Sequence, residues 1–262
     1  LTNEIRDTRY EIRDTRYEPM IVLFTDYGLT GPYTGQLEIM LRSCAPDTPV
    51  INLCADVPRQ DPKAAAYLLA ALRQSLPQAA VWLCVVDPGV GTWTDQPVML
   101  NLDGKWFVGP DNGLFDIVGR RARQCSGYVI SWRPDVLSNS FHGRDLYAPV
   151  AAELAQGRHP AAEACNWQPR HQWPDDLNEV IYIDAFGNAM TGMRATSLDR
   201  SAELVINGDA LCHAATFAEV EPGVAFWYEN SNGLVEIAVN QGSAEAALDL
   251  EVGSSFVVAL SG

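Results

Sequence analysis

Basic residues are scarce in this chain: 18 Lys and Arg stand against 33 Asp and Glu over 262 residues, a formal net charge of −15. No basic stripe is available to neutralise a phosphate backbone, which excludes nucleic acid as a partner. No run of about 18 apolar residues occurs, so no membrane-spanning helix is expected. No secretory signal pattern precedes the first predicted strand. The six cysteines (Cys44, Cys54, Cys84, Cys125, Cys165 and Cys212) include no C-x-x-C, and no histidine pair has metal-ligand spacing. Several lie inside apolar runs, where a free thiol behaves as a small hydrophobe. The expectation is a reduced, cytoplasmic protein without a zinc site.

What is present is ordinary for a globular protein: 47% apolar residues, with unexceptional glycine and proline. Residues 1–19 stand apart. Glu4–Tyr10 is repeated directly as Glu11–Tyr17, with no apolar periodicity that could build a core, so this stretch reads as a leader outside the fold that begins at Met20. From there a short apolar strand, Met20–Phe24, ends at Thr25-Asp26-Tyr27-Gly28. A helix over Gln36–Ser43, a strand over Val50–Leu53, an Ala/Leu-rich helix over Pro62–Ser75 and a strand over Ala80–Val86 follow. Pro97–Leu102 and Trp106–Val108 read as a hairpin around Asp103-Gly104. The β-α-β-α-β order predicts an α/β domain with a mainly parallel sheet covered by helices. Strand Tyr128–Ser131 and a helix from about Leu146 to Gln156 complete it.

Between Cys165 and Asn178 the texture changes, with Trp167, Pro169, His171, Trp173 and Pro174 breaking any periodicity. The expected organisation is an N-terminal α/β domain over 20–168, a linker over 169–178 and a smaller C-terminal all-β, barrel-like domain over 179–262. Its strands are expected at Glu179–Ile183, Ala202–Ile206, Val224–Tyr228, Leu234–Val239 and Ser255–Leu260, with no helix of consequence.

Polar residues recur where apolar runs end. The most prominent case is Val85-Val86-Asp87-Pro88-Gly89-Val90-Gly91-Thr92. A polar group at the carboxyl end of a buried strand faces the crevice in which α/β proteins bind ligands, although Asp-Pro-Gly by itself also makes a plain turn. Thr25-Asp26-Tyr27-Gly28, Pro110-Asp111-Asn112-Gly113-Leu114 and Phe141-His142-Gly143-Arg144-Asp145 repeat the pattern. In the second domain, Asp184-Ala185-Phe186-Gly187-Asn188 ends a strand, and Asn230-Ser231-Asn232-Gly233 precedes Glu236–Ala244. His159, His171 and His213 have no such setting and read as structural or exposed.

This ordered set, from Met20 to the C-terminus, resembles the S-adenosylmethionine hydroxide adenosyltransferases, relatives of the S-adenosylmethionine-dependent fluorinase and chlorinase. The resemblance implies displacement of methionine from ribose C5′ by water, giving adenosine and L-methionine, with no metal and no redox cofactor. Asp87 and His142 match the catalytic aspartate and histidine. Asp26 matches the residue that holds the ribose hydroxyls, Asp184 the one that meets the methionine ammonium, and Asn188 the one that reads the adenine edge. Phe186 packs on the base or is a plain core phenylalanine. Ser231 matches a methionine-carboxylate contact, and backbone groups around Asn240 and Gln241 complete the adenine site. The family also implies a homotrimer with sites shared between subunits.

Two departures from the pattern stand out. The hydrolases carry an arginine seven residues after the aspartate, where this chain has Thr94; another cation, such as Arg144, could take its place. The fluorinase arginine next to Ser231 is Asn232 here. In the halogenases the position of Gly143 is serine and that of His142 is not histidine, so Phe141–Asp145 is the hydrolase pattern. A halogenase and a binding protein that has lost turnover stand as alternatives.

Overall fold

The computed structural model describes residues 19–75 and 79–259. The repeated leader therefore lies outside the described residues, apart from Pro19, as does the last residue of the strand expected at Ser255–Leu260.

The N-terminal half is a seven-stranded sheet between two helical layers. Its strands are β1 (Met20–Thr25), β2 (Val50–Cys54), β3 (Ala80–Val85), β4 (Pro97–Leu102), β5 (Lys105–Pro110), β6 (Cys125–Ile130) and β7 (Ala162–Cys165), in the order β2-β1-β3-β5-β4-β6-β7. The first four in that order pair in parallel, as the βαβ pattern predicts. The β4–β5 hairpin and strands β6 and β7 add an antiparallel extension. The hairpin turns at Asp103 and Gly104, both at positive φ, as an Asp-Gly turn requires.

Strand β3 is buried on both faces, and its alternation divides the core. Trp82 and Cys84 face the layer formed by α2 (Pro62–Leu72) and α3 (Asp116–Arg120). Val81, Leu83 and Val85 face α1 (Tyr33–Cys44) and α4 (Ala148–Ala155). Helix α2 starts cleanly because the Asp61 carboxylate accepts the Ala64 N–H at 2.9 Å and Pro62 occupies the first turn. The helix expected at Leu146–Gln156 begins earlier, with a π-helical turn over Gly143–Tyr147 that runs into α4.

The C-terminal half has one four-stranded antiparallel sheet, β12-β13-β9-β8, and one three-stranded sheet, β11-β10-β14. The strands are β8 (Leu177–Ile183), β9 (Ala189–Arg194), β10 (Glu203–Ile206), β11 (Asp209–Leu211), β12 (Ala225–Glu229), β13 (Leu234–Val239) and β14 (Val257–Ala259). Single bridges, Glu179 to Ser255 and His213 to Trp227, join the sheets at both edges, which gives the expected barrel-like closure. Strands β9 and β11 and the short helix α5 (Ala244–Leu248) were not expected. Met193 and Gly192 interrupt a readable alternation in β9. Helix α5 depends on a local cap, the Ser243 hydroxyl accepting the Ala246 N–H.

The two halves share packing as well as chain. Leu177, Ile181 and Leu234 join the core on the α2 side, and Lys63 on α2 pairs with Glu179 on β8 at 2.7 Å.

Strands β3 and β5 approach so closely that a Cβ on Gly109 would lie 2.1 Å from the Cys84 carbonyl oxygen. Gly109→Ala must therefore separate the strands that carry Asp87 to the site. A loss of roughly 1–3 kcal/mol is expected from overpacking, read as a fall in the urea midpoint at an unchanged m-value.

Candidate active site

The order β2-β1-β3 means that the chain runs to one side of β1 and then crosses to the other. β1 and β3 thus flank the topological switch point, where open α/β sheets leave a crevice at the strand ends. Asp26 follows β1 and Asp87 follows β3. The Asp26 Oδ2 accepts the Gln60 N–H at 3.0 Å. Burial pushes the Asp26 carboxyl up, a rise opposed by backbone N–H groups and Arg59. Asp87 is pushed up to about 6, first by burial, then by the neighbouring Asp95, with Asp26 adding to it and the Gly89 N–H opposing. The charge acting on Asp26 is thus basic, whereas those acting on Asp87 are acidic.

His142 is buried, 4% exposed, at the start of the π-helical turn. Single π-turns are uncommon and concentrate at functional sites. Burial lowers the affinity of its imidazole for a proton, Arg133 lowers it further, and Asp145 opposes both. The turn is braced by Asp145, whose Oδ2 accepts the Ser138 N–H at 2.9 Å. Arg144 closes on Asp145 through Nε at 2.6 Å and a second nitrogen at 3.0 Å, and its remaining arm donates to the Gln36 Oε1 at 3.0 Å. Arg144 is therefore committed to holding this turn and does not replace the missing arginine beside Asp87.

Thr94, at the position of that arginine, binds within its own loop. Its hydroxyl lies 2.9 Å from that of Thr92 and 3.5 Å from an Asp95 oxygen. Asp95 is paired with Arg170 at 2.9 Å. Tyr27 joins the end of β1 to the His142 turn. Its ring packs edge-on against Phe141 at 5.5 Å, and its hydroxyl occupies the space over Gly143, where an added Cβ would lie 1.8 Å from it. Burial and the charges of Asp26 and Asp87 push the Tyr27 hydroxyl far above its ordinary range, so it is a neutral donor.

The C-terminal half carries a cavity of about 900 Å³. Five of the expected substrate residues line it: Asp184, Phe186, Asn188, Ser231 and Gln241. Asp184 also organises its own turn, accepting the Phe186 and Asn188 N–H groups at 2.8 and 2.9 Å and the Asn188 side-chain amide at 3.2 Å. That turn leaves the Phe186 ring 79% exposed at the cavity, which removes the plain-core alternative for it. Asn240 does not line the cavity; its side-chain amide donates to the Val220 carbonyl. Gln241 does, at a positive φ of 57°.

The structure therefore gathers Asp26, Asp87 and His142 on the α/β half, and five binding candidates in a cavity lined only by the β half. Glu236, Tyr228 and Phe217 were missed. Glu236 is 2% exposed within β13, accepting the Tyr228 hydroxyl and, at 2.7 Å, the Asn230 amide. A lone glutamate in the apolar run Leu234–Val239 was the signal for it. Phe217 sits in a 3-10 turn and has no periodic signature. The remaining histidines are structural: His171 pairs with buried Asp116 and stacks on Trp173, while His159 and His213 pack on aromatic rings.

Comparison with known proteins places this geometry in context. The model of the SAM hydroxide adenosyltransferase N-terminal domain matches residues 21–164, and that of the C-terminal domain matches residues 178–257. The chain is 36% identical over 253 residues to the (R)-S-adenosyl-L-methionine hydrolase of Thermus thermophilus, covering 89% of this chain and 96% of the relative. The protein of the same name from Salinispora arenicola is also 36% identical, with 92% and 97% covered. A fluorinase of Nocardia brasiliensis is 25% identical over 291 residues, with 92% and 96% covered. A crystal structure of an uncharacterized conserved protein from Thermotoga maritima superposes with a TM-score of 0.81 at 27% identity, covering 92% of this chain and all of the other.

Two predictions follow from the site's electrostatics and packing. The raised Asp87 pKa means that ionising this group costs native-state stability as pH rises from its ordinary 3.8 through about 6. Asp87→Asn should thus stabilise the fold at pH 7–8, by about 1–2 kcal/mol after discounting for solvent access, and leave it unchanged below pH 4. Thermal melts at both pH values read this. Gly143→Ala should destabilise through its clash with the Tyr27 hydroxyl, and Tyr27→Phe in the same chain should recover most of the loss, which a double-mutant cycle measures.

Proposed function

We propose, from the premise that this chain belongs to the S-adenosylmethionine hydroxide adenosyltransferase family, that it hydrolyses S-adenosyl-L-methionine to adenosine and L-methionine. The observation that supports the reading is a desolvated carboxylate, Asp87, at the switch-point crevice, on the same α/β half as a buried imidazole, His142, at the start of the π-helical turn. The water oxygen forms its bond to ribose C5′ on the side away from sulfur. The C5′–S bond breaks with its electron pair passing to the methionine thioether, and the water proton passes to the Asp87–His142 pair. A neutral thioether leaves a sulfonium centre without assistance, so the reading includes no metal or redox cofactor. The protein's task is to align three atoms in a dry site and accept one proton. A base with a pKa of about 6 is largely ionised at neutral pH yet still basic enough for that step.

Asp26 holds the ribose, Asn188 and Gln241 the adenine, Phe186 the face of the base, and Asp184 and Ser231 the amino-acid portion. Asp184 offers mainly Oδ2 for this, since Oδ1 serves its own turn. Because the cavity lining comes from the β half alone, a complete site combines it with the α/β half of a neighbouring copy, in keeping with a homotrimer. The six free cysteines, two of them exposed, support a cytoplasmic setting.

Halide chemistry fits less well. The serine that halogenases carry in place of Gly143 would drive its Cβ into the Tyr27 hydroxyl. A binding protein without turnover is favoured by one observation: among the described residues no cation is seen to act on Asp87.

Incubation with S-adenosylmethionine should give adenosine and methionine at equal rates in halide-free and chloride buffers, as followed by chromatography. An intact substrate peak with tight binding would select the binding protein instead. Asp87→Ala and His142→Ala should each lower turnover by about a hundredfold or more. Turnover should climb as pH rises through about 6, where Asp87 ionises.

A further inference from the structure

The loop from Asp87 to Asp95 holds a residue that the proposed reaction does not yet use. Trp93 has a φ of 58°, in the left-handed region that bulky side chains avoid. Such a conformation costs on the order of 1–3 kcal/mol and persists where the surroundings enforce it. Here they do. Gly91, at a φ of 82°, passes so close to the Asn139 carbonyl that a Cβ would lie 2.3 Å from it. The Thr92 hydroxyl donates to the Gly89 carbonyl at 2.6 Å and meets Thr94 at 2.9 Å. Pinned on both sides, the loop turns the indole over His142, with ring centroids 4.8 Å apart and planes inclined by 36°. The Arg133 guanidinium lies over the same indole, 5.0 Å from its centroid. Arg133 is itself anchored, donating to the Ile130 and Trp132 carbonyls at 2.7 Å each. Among the described residues it makes no ion pair, so its charge is not cancelled by a carboxylate.

We propose that Trp93 and Arg133 are positioning residues that together fix the His142 imidazole, setting a cation near the histidine in a site where the aspartate's loop carries Thr94 at the arginine position. The indole is the contact surface for the imidazole, and the guanidinium holds the indole by a cation–π interaction. The charge of Arg133 reaches past the ring and opposes protonation of His142. The other charged groups around the imidazole do not reverse this. Asp145, on the same turn, is neutralised by two bonds from Arg144. Asp95, on the Trp93 loop, is paired with Arg170. Asp87 begins that loop, and Tyr27 and Tyr147 are neutral hydroxyls. The strain at Trp93 is thus offset by the placement of a proton acceptor, a role for His142 that rests on the proposed hydrolysis.

The test reads the imidazole directly as well as the rate. With only four histidines in the chain, the His142 ring signal is assigned in the full-length protein by its loss in His142→Gln. It is then titrated by NMR at low ionic strength in the unaltered protein, Arg133→Gln, Arg133→Lys, Trp93→Phe and Trp93→Ala, with thermal melts confirming that each variant is folded. The expected result is an upward shift of the His142 midpoint in Arg133→Gln and a value close to the original in Arg133→Lys. Trp93→Phe should keep the ring environment and Trp93→Ala lose it, with turnover of the latter down about tenfold or more and KM little changed. Identical His142 titrations in the unaltered protein, Arg133→Gln and Trp93→Ala would overturn the proposal. Because the titration needs no substrate, it decides this point even if S-adenosylmethionine proves not to be turned over, an outcome that would count against the hydrolase reading alone.

Discussion

The parallel pairing of β1 with β3 is the contact on which the candidate site rests, because it sets two strand ends side by side and leaves their aspartates in a shared, partly dry crevice. Burial raises the cost of ionising both, and Asp95 and Asp26 add their negative charges to the cost at Asp87. Water would relieve such a cluster at an open surface. Here burial leaves Asp87 partly desolvated, with Tyr27, itself partly buried, packed between the end of β1 and the His142 turn. The result is a carboxylate whose pKa is raised to about 6 by desolvation and like charge.

That arrangement differs from one in which an arginine sits beside the aspartate. The bases of the site here are tuned in opposite senses: burial and neighbouring acids push Asp87 up, while burial and Arg133 push His142 down. Burial thus acts on both groups, disfavouring the charged form of each. Cations are present nearby, but each has a fixed duty. Arg144 braces the π-helical turn, Arg170 neutralises Asp95, and Arg133 covers the indole.

The β half carries the cavity. Its cavity is bounded by turns whose backbone is held by their own side chains, as Asp184 holds Phe186 and Asn188. Glu236 is buried with Tyr228 and Asn230 donating to it, a small polar network at the base of an otherwise apolar strand. A network of this kind specifies one packing of the cavity wall, since every alternative leaves a carboxylate unsatisfied.

Much of this was readable before any coordinates. The period-two runs, the Asp-Gly hairpin and the alternation of strands with helices are local signals, and they located the α/β half, its parallel strands and the barrel-like second half. Aspartates at strand ends and the Phe141–Asp145 stretch were visible for the same reason, since a polar residue that closes an apolar run needs no partner to be noticed. Strand β9 and helix α5 were not legible, because their stability comes from neighbours and a single cap. Nor could the sequence say what Arg144 does: it stood as a candidate to take the missing arginine's place, and only packing against Asp145 and Gln36 commits it elsewhere. The stacking of Trp93 between a loop pinned at Gly91 and a turn some fifty residues away has no local signature at all. Residue type and order determined which chemistry this chain carries; tertiary contacts alone decided which charges remain uncancelled, because burial and pairing are properties of neighbours distant in the chain.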